Sequence, residues 1–159
     1  MIILLVRFIQ AVNIMGKTHH PDEHHQGVEI AYKMTYKNQI DILSSWEWMK
    51  QYSLRNTLYP AYLSIPLHFF KFLDLDYNIV VILSPLFMNS IIIVLGDYYS
   101  YLFTLRLFNK KCALIFMVYS LFNKNINGIF GRTMTNGAEA VFCMMAFYYY
   151  SKLQYAYLE

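Results

Sequence analysis

The sequence predicts an all-α polytopic membrane protein, on two observations. Hydrophobic residues make up 57% of the 159 and charged residues only 14%, where a soluble domain carries about 25% charge. The apolar residues also come in long blocks separated by short polar stretches, the pattern of successive membrane helices. A chain of this length could bury a soluble core, but not with its apolar residues grouped in this way. The net charge of +3 is small and its carriers are scattered. No basic stripe tracks a phosphate backbone, so nucleic acid is not an expected partner. Cys112 and Cys143 lie inside apolar blocks and are expected as small core residues rather than a disulfide or half a metal site.

Residues 1–16 are expected to form a first membrane helix. Arg7 interrupts the apolar run and no small-x-small site follows, which argues against a signal peptide. At 1.5 Å per residue the segment covers about 24 Å, short of the ~30 Å hydrocarbon core, so its true start is expected upstream.

Residues 17–55 are the extended polar region and hold both tryptophans, Trp46 and Trp48. Within "GVEIAYKMTY", Val28, Ala31, Tyr32 and Thr35 fall near one helical face, and Glu29, Lys33 and Lys37 on the other. That is the pattern of a short helix on a surface or interface. The tryptophan pair suits the headgroup level.

Residues 56–159 are expected to supply further membrane helices. Segment 56–75 is apolar but broken by Pro60, Pro66, His68, Lys71 and Asp74, and reads as a weak span or as a re-entrant or interfacial piece. Segment 77–107 is a stronger span, with Pro85 inside and Asp97 near its end. Segments 112–130, interrupted by "NKNING", and 138–157, with a Tyr-rich end, complete the set. Arg106, Lys110 and Lys111 form the tightest basic cluster beside a span, which places that turn in the cytosol. Residues 17–55 and "GRTMTNGAE" (131–139) then share the opposite, lumenal face.

The candidate chemistry sits in two places. "HHPDEHHQG" puts His19, His20, His24 and His25 around the adjacent carboxylates Asp22 and Glu23. Such a pair serves as a general base, a metal ligand or plain solvated charge. The ligand types suit zinc or manganese, but no HxxxH or HExxH register is present. The second place is "GRTMTNGAE", where Arg132 and Glu139 stand at the mouth of an apolar span. Charges near membrane depth are costly and usually paired or functional, and a guanidinium binds phosphate in two-pronged fashion. The plainer reading makes Thr135 or Asn136 a helix N-cap with Glu139 in the first turn. Arg55 and Asp97 are single charges of the kind that serve as anchors or intramembrane pairs. Gly-rich phosphate loops, GxSxG and a catalytic Cys–His pattern are missing, so a soluble nucleotide-dependent enzyme is not supported.

Taken in order, "HPDEHHQGVEIAY", "SSWEW", "LRNTLYP" and "GRTMTNGAEAVF…FYYY" resemble the family 22 mannosyltransferases of the endoplasmic reticulum. Within that family the resemblance is strongest to the type that adds the third mannose to the glycosylphosphatidylinositol (GPI) precursor. The matching residues are His20, Pro21, Asp22, Glu23, Gln26 and Glu29; Trp46, Glu47 and Trp48; Arg55, Tyr59 and Pro60; and Arg132, Thr133, Thr135, Asn136 and Glu139. The resemblance covers nearly the whole chain. Departures are Pro85-Leu86 where the family has Pro-Arg, Ala140 in place of Thr, and "RNTLYP" for a more aromatic motif. Family members run to several hundred residues, so these 159 are expected to be the N-terminal portion only.

The resemblance implies a GT-C-like transmembrane architecture in the endoplasmic reticulum membrane, with the active site in the first lumenal loop. The implied donor is dolichyl-phosphate mannose, and the implied acceptor is a GPI precursor already bearing two mannoses. Transfer would be α1,2 and inverting, through one displacement with an oxocarbenium-like transition state. Asp22 is then the expected base, and Glu23 its substitute or the group that orients the acceptor. Arg132 or Arg55 would neutralise the leaving phosphate. His20, Gln26, Trp46, Glu47, Trp48, Asn136 and Glu139 are expected to line the substrate site. No metal or other cofactor is called for, since the donor carries one phosphate and no diphosphate, and the spans would hold the polyprenyl tail. The alternatives are a sister enzyme (fourth GPI mannose, or dolichol-linked N-glycan assembly) and a truncated, non-catalytic membrane subunit.

Overall fold

A computed structural model describes residues 1–15, 23–36, 45–49, 51–52, 54–75 and 77–156. Helices account for nearly all of them, and no strand occurs among the described residues. In chain order the helices are α1 (Ile2–Met15), α2 (Glu29–Thr35), α3 (Leu58–Phe72), α4 (Asn78–Leu107), α5 (Lys110–Phe122), α6 (Lys124–Phe130) and α7 (Thr135–Ala156). A π-helical turn, His24–Val28, leads into α2, and a 3₁₀ turn, Trp46–Trp48, precedes α3.

α4 is the axis of the molecule, with α1, α3, α5 and α7 all packed on it. Its 30 residues make a rod about 45 Å long. It is the one described helix both long and apolar enough to cross a membrane. The predicted span over 112–130 divides instead into α5 and α6, of 13 and 7 residues. Asn123 makes the break. It takes an extended backbone, and its Oδ1 accepts from the amides of Asn125 and Ile126, as an N-cap does. Neither piece approaches the ~30 Å of a hydrocarbon core.

One proline inside a helix is accommodated by a specific partner, and another by its place in the first turn. Pro85 has no N–H to give to the carbonyl four residues back, which is that of Val81. The Tyr32 hydroxyl, from α2, donates to the Val81 carbonyl at 3.0 Å. Pro60 falls in the first turn of α3, where a missing N–H costs little. α3 ends where Asp74 enters the left-handed region, at φ 52°, and Leu75 N–H closes back on the Phe70 carbonyl at 2.9 Å. Aspartate tolerates that conformation better than most side chains.

The amphipathic reading of 27–36 holds. Val28, Ala31 and Thr35 are buried while Lys33 is exposed. The buried face packs on α3, in a cluster formed by Ala31, Tyr59, Leu63, Leu67 and Ala138. Tyr32 belongs to the same packing. Burial, then the neighbouring Tyr36, pushes its hydroxyl up to about 12, so it stays a donor at any physiological pH.

Farther along α4 the interior turns polar. Arg7, 4% exposed, sends Nε and Nη2 to the two carboxylate oxygens of Asp97, each at 2.7 Å. Its Nη2 also donates to Ser120 Oγ at 2.8 Å, and its Nη1 to Gln10 and Asn127. Asp97 is thus half of a buried ion pair, and pairing is one of the two roles its sequence setting suggests. Meanwhile Leu114, Ile115, Val118 and Phe122 on α5 and Phe142 on α7 face outward. Cys112 and Cys143 are free and exposed, contrary to their expected place in a core. The outward faces of these helices are themselves apolar, so a small apolar side chain need not point inward.

Candidate functional site

The polar segments converge on the 130–133 turn. Glu23 is helical in backbone and 7% exposed. Its Oε1 accepts from both the backbone N–H and the hydroxyl of Thr133, each at 3.0 Å. Its Oε2 lies 3.5 Å from Arg132 Nη1. Arg132 also donates from Nε to the Gly128 carbonyl at 3.1 Å, which fixes the guanidinium against the end of α6. Thr133 itself is 1% exposed. Glu23 is therefore a buried carboxyl group whose oxygens meet directed donors, as a buried polar group requires.

Gly27 brings the backbones together at the same contact. A Cβ there would stand 3.0 Å from the Thr133 carbonyl oxygen, a distance few side chains tolerate against fixed backbone. Glycine at this place lets the π turn lie directly on the 130–133 turn. On its other side the turn is held by Trp48, whose indole N–H donates to the His25 carbonyl at 3.1 Å. His25 Nδ1 pairs with Glu29 at 2.8 Å.

Beneath the 130–133 turn sits Asn89 of α4, fully buried at 0%. Its Nδ2 donates to the carbonyls of Phe130 (3.1 Å) and Arg132 (3.0 Å), and its Oδ1 accepts from the Tyr59 hydroxyl at 3.0 Å. All three bonds fix the amide's orientation, because the reverse setting would point an oxygen at two carbonyls.

Beside Trp48, Glu47 and Arg55 form a two-pronged pair at 3.1 and 3.3 Å. Both are partly buried, and the Leu54 amide closes on the Glu47 carbonyl at 3.2 Å. Trp46, 56% exposed, meets the Tyr52 ring edge-on at 5.6 Å between centroids.

The expected site residues thus fall into three groups. Glu23 and Arg132 meet at one junction; Gln26 lies in the π turn that follows Glu23, Trp48 bonds to that turn at His25, and Glu47 and Arg55 pair beside Trp48. Asn136 and Glu139 lie exposed near the start of α7. α7 begins at Thr135, so Thr135 is inside the helix rather than its cap, and its buried hydroxyl has no partner among the described residues. Asp22, His19 and His20 lie outside the described residues. Asn89 and Gly27 were not expected. A lone amide in an apolar run is the signal that could have pointed to Asn89; Gly27 carries no comparable mark.

A family model, that of the Alg9-like mannosyltransferase family, matches residues 1–158. Among curated proteins, the chain is 28% identical over 130 residues to "Mannosyltransferase APTG1" of Arabidopsis thaliana, covering 82% of this chain and 23% of that protein. It is 30% identical over 125 residues to "GPI mannosyltransferase 3" of Candida albicans, covering 79% and 24%. To the protein of the same name in Gibberella zeae it is 27% identical over 158 residues, covering 93% and 25%. The chain spans about a quarter of the length of these relatives. No solved structure matches.

Proposed function

Because the chain belongs to the Alg9-like mannosyltransferase family, we propose that it carries the acidic-loop part of an enzyme transferring mannose from dolichyl-phosphate mannose to a GPI precursor bearing two mannoses. The names of the Candida and Gibberella relatives support the GPI substrate class. The observation that carries the reading is the junction of Glu23 with Thr133 and Arg132. It holds an acidic loop in fixed register against a basic turn, and both belong to the motif set of the family.

In this reading Asp22 takes the proton from the acceptor hydroxyl. The freed oxygen attacks the anomeric carbon, the carbon–phosphate-oxygen bond breaks, and dolichyl phosphate leaves. One displacement inverts the β-linked donor to an α product. A base must stand within hydrogen-bond reach of the hydroxyl. Glu23, with both oxygens directed at Thr133 and Arg132, suits the work of holding the loop, which leaves proton transfer to Asp22. Arg132, at the same junction, and Arg55, oriented by Glu47, are the cations available to meet charge on the leaving phosphate.

The protein sits, in this account, in the endoplasmic reticulum membrane as a multi-pass chain with residues 17–55 in the lumen. Charge placement supports that orientation. From Asn89, beneath the junction, to Arg106 is about 25 Å along α4, so the basic cluster of Arg106, Lys110 and Lys111 is well separated from the Glu23 junction. The apolar outer faces of α5 and α7 suit lipid and a polyprenyl tail. Loss of the gene tests the substrate. Accumulation of a GPI precursor with two mannoses supports the assignment. Accumulation of a three-mannose precursor, or of a short dolichol-linked glycan, assigns the chain to a sister reaction instead.

A further inference from the structure

We infer that Asn89 is a positioning residue of the transfer reaction, acting through the 130–133 turn on the acidic loop. The inference rests on the mannosyl-transfer reading above. One bond anchors it, and three steps connect it to the proposed base. The Tyr59 hydroxyl holds Asn89 Oδ1 at 3.0 Å. Asn89 Nδ2 holds the carbonyls of Phe130 and Arg132. The turn so fixed aims the Thr133 N–H and hydroxyl at a single oxygen of Glu23. Glu23 precedes the π turn and directly follows Asp22 in the chain.

The residue type follows from this geometry. The position needs two donors on one side and one acceptor on the other, within a site of 0% exposure. Only a primary amide meets that demand with one side chain. A buried amide in an apolar helix is costly unless every bond is made, and here all three are. Packing alone asks for no polar group in an apolar helix, so the polarity is explained by what it holds. Asn89 stands within helix α4, against which α1, α3, α5 and α7 pack, and rigid elements are what fix reacting groups to within a fraction of an ångström.

The test uses the protein at its full natural length in membranes. Asn89→Leu keeps the branched shape and removes all three bonds; Asn89→Gln keeps the amide on a longer arm. Ser84→Ala is the control, since that hydroxyl bonds only within its own helix, to the Val80 carbonyl. Asn89→Leu is expected to lower kcat about a hundredfold, with KM for the lipid donor little changed. Asn89→Gln is expected to recover part of the loss, and Ser84→Ala to match wild type. Unchanged kcat per folded protein in Asn89→Leu, or a rise in KM alone, overturns the inference. Backbone hydrogen exchange over 128–134 gives an answer independent of activity. Faster exchange at Thr133 in Asn89→Leu is expected, and wild-type protection there overturns the inference even if activity falls. If the wild-type protein transfers no mannose at all, the mannosyl-transfer reading fails, and the inference that depends on it falls with it.

Discussion

Glu23 and Thr133 lie 110 residues apart in the chain, and a single oxygen of the Glu23 carboxylate accepts both the backbone N–H and the hydroxyl of Thr133 at 3.0 Å. This contact ties the acidic loop to the start of α7. Bonds to a charged acceptor contribute about 1.5–3 kcal/mol each when made, and a lost partner leaves the donors unmet. Glu23→Ala is expected to lower the unfolding midpoint of the purified protein, and Thr133→Val to do the same with a smaller shift, since it removes only the hydroxyl. Unchanged midpoints in both would mean that the contact does not hold the loop.

The Arg7–Asp97 pair makes a second, separable prediction. Removing one partner of a buried ion pair costs about 3–5 kcal/mol because the other is left as an unmet charge, whereas an apolar replacement of both is tolerated. Arg7→Met and Asp97→Leu are each expected to reduce the folded yield sharply. The double variant is expected to be more stable than either single one. Additive losses in a double-mutant cycle would show that the two groups do not depend on each other.

Gly96 sets the approach of α4 to α7. A Cβ at Gly96 would lie 2.6 Å from Val141 Cγ2, and a branched valine on a helix has little freedom to move aside. Gly96→Ala is expected to cost about 1–3 kcal/mol through overpacking. Val141→Ala in the same chain should restore most of it, as read from thermal melting in detergent.

Tyr32 answers for the proline in α4. Its hydroxyl is pushed up to about 12 by burial and by Tyr36, against 10 for a tyrosine in the unfolded chain. A raised value means that the protonated form is favoured by folding. The associated stability is complete below pH 10 and is lost as the pH rises through about 12. Tyr32→Phe leaves the Val81 carbonyl without its donor and is expected to destabilise by about 1–3 kcal/mol. The ultraviolet titration difference between wild type and Tyr32→Phe should centre near 12; a difference centred at 10 would contradict the burial.

Much of this arrangement was legible in the chain, and the parts that were not have physical reasons. Alternation of Val28, Ala31 and Thr35 with Glu29 and Lys33 marked α2, because a helix that packs on one side shows its period. The isolated charge of Asp97 suggested an anchor or a pair, because an unpaired charge in an apolar setting is costly, and the structure shows the pair. Its partner was not readable: Arg7 lies 90 positions away, and pairing across helices leaves no local trace. The break in 112–130 was visible as "NKNING", whereas its form, a cap by Asn123 that starts a separate short helix, was not. The two cysteines were misplaced for a related reason. In a soluble fold apolar means inside, whereas here the outer faces of α5 and α7 are apolar too. Asn89 shows the limit most clearly. Its oddity within an apolar helix is visible in the sequence, but what it holds is backbone more than 40 residues on, and backbone carbonyls have no signature.

The account turns on Asp22 as the base and Glu23 as the group that holds it in place. The most direct test is mannose transfer from dolichyl-phosphate mannose to a two-mannose GPI precursor, in membranes carrying the full-length protein. Asp22→Asn is expected to abolish transfer. Glu23→Gln, whose amide oxygen still accepts from Thr133, is expected to retain a reduced rate. Near-wild-type transfer in both variants would contradict the account.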